Sequence, residues 1–142
     1  MPRLAVIGFP VGHSRSPAMQ NAALAELGLR EEWEYGAVEA APEELEARVR
    51  ELAAAGYAGL NVTVPHKEAA LALADEASAA ATEIGAANTL SFHPGAETGV
   101  PVIAAENTDA GGLLASLPSL PRGKRALVLG AGGAARAVVW AL

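Results

Sequence analysis

The sequence contains no cysteine, which excludes disulfides, thiolate nucleophiles and any zinc or iron–sulfur site built on cysteine. Its three histidines, His13, His66 and His93, are scattered, and no metal site is expected from them. No apolar run approaches the roughly 20 residues that a membrane-spanning helix needs. Leu4 to Val11 is too short, and too broken by Gly8 and Pro10, to serve as a secretory signal. A cytoplasmic protein without a membrane partner is therefore expected.

Other residue types are scarce rather than absent. Only Lys67 and Lys124 among the ten basic residues are lysine, and only Asp75 and Asp109 among the sixteen acidic residues are aspartate. There are four asparagines, Asn21, Asn61, Asn88 and Asn107, the last two each followed by Thr. A chain that otherwise writes Arg and Glu thus gathers its rare types in three short places. For any one of them alone the plain reading is a solvated helix-start charge or a strand-end residue. Acidic charge dominates, with a net charge of −6, which argues against a general nucleic-acid partner. Residues 110–142 nevertheless hold four bases and no acid, a balance that suits an anionic ligand such as a phosphate.

What is present is globular: 51% of the 142 residues are apolar and 18% charged. Arg3 to Gly8 reads as a buried strand. Ser16 and Pro17 then open a helix as N-cap and first residue, with Met19, Ala23, Leu24 and Leu27 as its stripe and Gly28 as its stop. Trp33 to Val38 is a second strand, and Pro42 opens a helix that buries Leu45, Val49 and Leu52. Helices are expected over Glu68 to Ala74 and from about Glu76 to Ile84. Asn88 to Phe92 and Pro101 to Ala105 form a hairpin across a turn-rich connection, and a helix over Ala110 to Leu117 is capped by Thr108 or Asp109.

The organising stretch is Asn61 to Lys67, Asn-Val-Thr-Val-Pro-His-Lys. In a strand from Tyr57 to Val64, alternation puts Leu60, Val62 and Val64 on one face and Asn61 and Thr63 on the other. Pro65 cannot donate to a ladder, so Lys67 falls just past the carboxyl end, the rim at which open α/β sheets bind ligands.

Ala126 to Leu129 reads as a further strand, followed by Gly130-Ala-Gly-Gly-Ala-Ala135, a G-x-G-x-x-A pattern between strand and helix. Gly130 permits the turn, Gly132 lets backbone approach a pyrophosphate, and Ala135 allows close packing. The alternative is a glycine-rich turn that binds nothing. The ribose-reading residue of this fingerprint lies about twenty positions farther on, so an N-terminal fragment of a longer two-domain enzyme is expected. In it, Val138, Val139, Trp140 and Leu142 lack a sheet face to cover them, so either self-association or a disordered last turn is expected.

Taken together, Gly8 to Asn21, Asn61 to Lys67, Ile84 to Leu90, Asn107 to Asp109 and Gly130 to Arg136 closely resemble, in order and spacing, the shikimate dehydrogenase family. The resemblance implies an open, mainly parallel α/β substrate-binding domain over residues 1–105. A connecting helix and the truncated start of a Rossmann-like dinucleotide-binding domain follow over residues 106–142. It implies NADP-linked interconversion of 3-dehydroshikimate and shikimate in aromatic amino-acid biosynthesis, with quinate as an alternative substrate. Ser14 and Ser16 would hold the substrate carboxylate, and Asn61, Thr63, Lys67, Asn88 and Asp109 its ring oxygens. Lys67 would be the acid/base residue, with Asp109 across the same oxygen. Gly130, Ala131, Gly132, Gly133, Ala134 and Arg136 would face NADP. In this form of 142 residues, the expectation is an inactive module that binds a polyhydroxy acid, with an oligomeric state open to self-association.

Overall fold

The structure is a computed structural model describing residues 2–95 and 99–142. Among these, six strands form one sheet in the order β2-β1-β3-β5-β6-β4. The strands are β1 (Arg3–Gly8), β2 (Glu34–Glu39), β3 (Tyr57–Val62), β4 (Glu76–Ala77), β5 (Thr89–His93) and β6 (Val102–Glu106). The β1–β2, β1–β3 and β4–β6 pairs are parallel, whereas β5 runs antiparallel to both its neighbours. Helices α1 (Ser16–Glu26), α2 (Leu45–Ala54), α3 (Lys67–Ala72), α4 (Ala79–Ile84), α5 (Asp109–Ser116) and α6 (Gly133–Ala141) complete the chain.

The two sides of the sheet do different work. Ala5, Ile7, Leu60, Val62, Leu90, Ile103 and Ala105 alternate onto one face and close on Leu45, Val49 and Leu52 of α2 and Ala70 of α3. Period-2 strands and an i, i+4, i+7 helix stripe meet there as the sequence requires. On the other face Val6 and Tyr35 pack with Leu4, Val11 and Leu24 of α1. A third cluster joins Ile84, Ala86, Ala110 and Ala137 under α4, α5 and α6. At one edge of the sheet β1, β2, β3 and β6 end and β5 begins. The connections that carry Lys67, Asn88, Asn107 and Asp109 emerge there.

Several expectations are corrected. The central strand stops at Val62, so Val64 leaves the alternation and is exposed, while its carbonyl instead accepts from the Phe9 N–H at 3.0 Å. Glu76 does not begin a helix. Glu76–Ala77 lie beside Ala104 and Ala105 as a short edge strand, and Ser78 caps α4 by accepting from the Ala81 N–H at 3.1 Å. The Ser16 hydroxyl does not cap α1. Ser16 is already helical, and its N–H donates to Ser14 Oγ at 3.2 Å. Likewise neither Thr108 nor Asp109 caps α5 through its side chain; the Asp109 N–H donates to Asn107 Oδ1 at 3.1 Å. Of the stripe assigned to α1, Met19 and Leu27 are exposed and Leu24 reaches the core cluster.

Ala126 to Leu129 forms no strand. A strand needs a neighbour for its N–H and C=O groups, and the segment joins no sheet among the described residues; Leu127 and Leu129 are exposed. The helix after the glycine turn does form, and its expected lack of cover is only partial. Ala137 is wholly buried against α4 and α5, whereas Val139, Trp140 and Leu142 face solvent. Of the hairpin connection, residues 96–98 lie outside the described residues.

Candidate active site

Lys67 is the first residue of α3, held at the sheet edge by backbone on both sides. The Thr63 N–H donates to the Ile7 carbonyl at 2.9 Å and the Ala87 N–H donates to the Lys67 carbonyl at 2.8 Å, so the turn after β3 is tied to β1 and to the segment entering β5. His66 sits beneath it, 1% exposed, with Nε2 at 2.8 Å from the Ala40 carbonyl. That bond gives the buried imidazole a partner and anchors the turn.

The Lys67 side chain, 15% exposed, places Nζ 2.5 Å from Asp109 Oδ2. Asp109 Oδ1 accepts from Asn88 Nδ2 at 2.9 Å. Both oxygens of the carboxylate are therefore occupied, one by a cation and one by a neutral amide. Asp109 reaches this position because Asn107 staples the end of β6. Its Oδ1 accepts from the Asp109 N–H, and its Nδ2 donates to the buried Ala86 carbonyl at 2.8 Å. Asn88 Oδ1 accepts from the Thr108 N–H at 2.9 Å, locking α5 against the start of β5.

Asn61 belongs to the same cluster. The sheet register sets Val6, Asn61, Thr89 and Glu106 side by side, and Asn61 Nδ2 lies 3.4 Å from Thr89 Oγ1. Asn61 Oδ1 accepts from the Tyr35 hydroxyl at 2.7 Å. Thr63 lies at the β1 boundary, so close that a Cβ on Gly8 would come within 2.5 Å of Thr63 Cγ2. Ser14 lies in the loop after β1 and Ser16 begins α1, both at the same edge. No hydrogen bond among the described residues joins them to the Lys67 cluster. A carboxylate oxygen of Glu39 accepts from the Val11 N–H at 3.1 Å and fixes that loop to β2.

Tyr35 was not singled out in the sequence, although tyrosine occurs only twice. It is 4% exposed, and burial pushes its phenol from 10.0 up to about 12. Any stability that depends on the neutral phenol is complete below pH 10 and is lost as the pH rises through about 12.

The glycine turn lies against this cluster. Gly130 has φ +123, a conformation that L side chains rarely adopt. Gly132 is extended, and a Cβ there would meet nothing within 4 Å, so packing does not demand glycine at this position. Open backbone at the start of α6 fits a pyrophosphate. Gly133 is different: its Cβ would fall 2.7 Å from Lys67 Cβ and 3.2 Å from Ala86 Cβ. Arg136 reaches α3, where its guanidinium pairs with Glu68 at 3.0 Å.

Residues 6–90, more than half of the chain, match the family model described as shikimate dehydrogenase substrate binding domain. The chain belongs to the shikimate dehydrogenase family. Among its relatives, a shikimate dehydrogenase (NADP(+)) of Methanopyrus kandleri is 49% identical over 141 residues, covering 96% of this chain and 46% of that protein. One of Brucella canis is 50% identical over the same length and coverage. The crystal structure of a Thermus thermophilus shikimate 5-dehydrogenase in complex with shikimate superposes with a TM-score of 0.85 at 45% identity, covering 99% of this chain and 52% of the other. The chain thus spans about half the length of the shikimate dehydrogenases it matches. The mixed sheet with β5 antiparallel between parallel strands is the family's fold, and the matched segment ends at Leu90 in β5, inside the polar cluster's own strand.

Proposed function

We propose that this chain forms the shikimate site of an NADP-dependent shikimate dehydrogenase, interconverting 3-dehydroshikimate and shikimate in the cytoplasm. The reading is carried by the Lys67–Asp109 pair, half-shielded from solvent at the sheet edge and flanked by Asn88. A polyhydroxy acid has many donors and acceptors. A cluster of amides, hydroxyls and one ion pair matches them, and rejects analogues that leave its own groups unpaired. Asn61, Thr63, Lys67, Asn88 and Asp109 hold the ring oxygens, and Ser14 and Ser16 the carboxylate. Lys67 Nζ carries the proton that the substrate oxygen gains or loses as it passes between carbonyl and alcohol, and Asp109 orients that ammonium.

NADP, when bound, supplies or accepts the hydride. Gly130, Ala131, Gly132, Gly133 and Ala134 form the turn that would face it, with open backbone at Gly132, and Arg136, held by Glu68, borders the turn. Residues 1–105 form the substrate unit and residues 106–142 the connecting helix and the beginning of the nucleotide unit. Because the segment before the turn is unpaired, we expect the 142 residues alone to bind shikimate without turning it over. Calorimetric titration with shikimate, and absorbance of reduced cofactor in a mixture with shikimate and NADP, check both halves. Absence of shikimate binding defeats the site assignment. Turnover rising in proportion to protein concentration defeats the claim of inactivity.

Self-association belongs to the same reading. Leu127, Leu129, Val139, Trp140 and Leu142 are exposed along one terminal segment, and contiguous apolar surface of this kind is ordinarily covered by a partner. Sedimentation over a concentration series should show mass rising with concentration. A concentration-independent monomer with Trp140 shielded from a quencher would overturn this expectation.

A further inference from the structure

We propose that Tyr35 is a positioning residue for the substrate site: its hydroxyl begins a one-directional chain of hydrogen bonds that fixes the amides of Asn61 and Asn88 and ends on the Asp109 carboxylate. This rests on the shikimate reading for its consequence, though the chain itself stands on geometry alone.

The direction follows from the far end. An ionised carboxylate only accepts, so Asn88 must turn Nδ2 toward Asp109 Oδ1, 2.9 Å away. The Thr108 backbone N–H only donates, and it points at the other end of the same amide, Asn88 Oδ1, at 2.9 Å. Two independent partners therefore assign the Asn88 amide. Thr89 Oγ1, 3.0 Å from that oxygen, gives it its proton and keeps a lone pair for Asn61 Nδ2 at 3.4 Å. Asn61 Oδ1 is then left facing Tyr35 and requires a donor, which the phenol supplies at 2.7 Å.

Tyr35 is built to hold that place. The Asn21 amide grips its backbone twice, donating to the Tyr35 carbonyl at 2.8 Å and accepting from the Tyr35 N–H at 3.2 Å. Val6, Val11 and Leu24 pack around the ring. Burial keeps the phenol protonated, and so a donor, across ordinary pH. Each donated proton in such a series polarises the next. The consequence for recognition is specific: with Oδ1 occupied, Asn61 offers its remaining Nδ2 proton, so the substrate oxygen beside it must accept. Without the phenol the Asn61 amide is free to flip and present an acceptor instead.

Tyr35→Phe keeps the ring and removes the proton. Side-chain amide signals of Asn61 and Asn88 in 15N-resolved NMR, together with shikimate titration of the same protein, test the chain. Tyr35→Phe should displace the Asn61 signals and, more weakly, those of Asn88. Shikimate affinity should fall about five- to tenfold, the size of one neutral hydrogen bond. In a Thr89→Val background, Tyr35→Phe should no longer move the Asn88 signals, because the link between the amides is gone. Unchanged amide signals, or unchanged affinity in a protein that binds shikimate, would overturn the proposal whatever happens to thermal stability. If the unmodified protein fails to bind shikimate, the functional reading fails, and the amide signals alone uphold or overturn the chain. If Tyr35→Phe does not fold, Thr89→Val decides: displacement of both amides upholds the chain, and displacement of Asn88 alone or of neither overturns it.

Discussion

Joined to the remaining half of the Methanopyrus kandleri relative, residues 1–142 should yield a dehydrogenase whose turnover falls about a hundred- to ten-thousand-fold on Lys67→Ala, with KM changed far less. The relative's 49% identity over 141 residues makes the exchange feasible. The expectation follows from the role proposed for the ammonium at different stages. In the ground state the substrate oxygen is one of several held by amides and hydroxyls. In the proposed transition state that oxygen gains charge, and Lys67 Nζ, which lies 2.5 Å from Asp109 Oδ2, is the group placed to move the proton. Steady-state kinetics of the paired chimeras measures the split. A variant that keeps its turnover number and only loses substrate affinity would make Lys67 a binding residue.

Gly133→Ala in the same chimera should lower turnover by about a hundredfold, although no hydrogen bond among the described residues joins Gly133 to the Lys67 cluster. Its added methyl would lie 2.7 Å from Lys67 Cβ and 3.2 Å from Lys67 Cδ, closer than carbon atoms tolerate. Either α6 lifts from α3 or the lysine stem shifts, and each outcome spoils the Lys67–Asp109 geometry. Gly132→Ala is the matched comparison, since its methyl meets nothing within 4 Å. It should leave shikimate affinity intact and weaken NADP binding alone. Equal effects of the two substitutions on shikimate affinity would show that the contact with Lys67 is not the cause.

Most of the sheet was legible because its buried faces obey period 2 and its helices period 3.6. Arg3 to Gly8, the α2 stripe and the β5–β6 hairpin all stand within a residue or so of expectation. What sequence pattern missed was decided by neighbours. Ala126 to Leu129 has strand composition but joins no sheet among the described residues, and Glu76–Ala77 has helical surroundings but finds the edge of β6. Caps moved by a residue or two because Ser14 and Asn107, not the hydroxyl nearest the helix, had the reach. Asn61, Lys67, Asn88 and Asp109 stood out by scarcity, and hydrogen bonds do link them. Tyr35 did not, because its contact with Asn61 crosses from β2 past β1 to β3, a neighbourhood created by register rather than by spacing in the chain.

The strand order also dictates when the site comes into being. β4 pairs with β6, which leaves the ribosome after it and sets Ala104 opposite Glu76, and β5, made between them, lies between β3 and β6. Lys67 and Asp109 are 42 residues apart in sequence. A nascent chain therefore exposes Ser14, Asn61 and Lys67 well before Asn88 and Asp109 arrive to complete them, and the long closures are the slow ones to form. A ligand seated on Lys67 and Asp109 recognises only chains that have finished this return journey, so its presence during synthesis would draw the population toward the closed sheet by mass action, without guiding any earlier step.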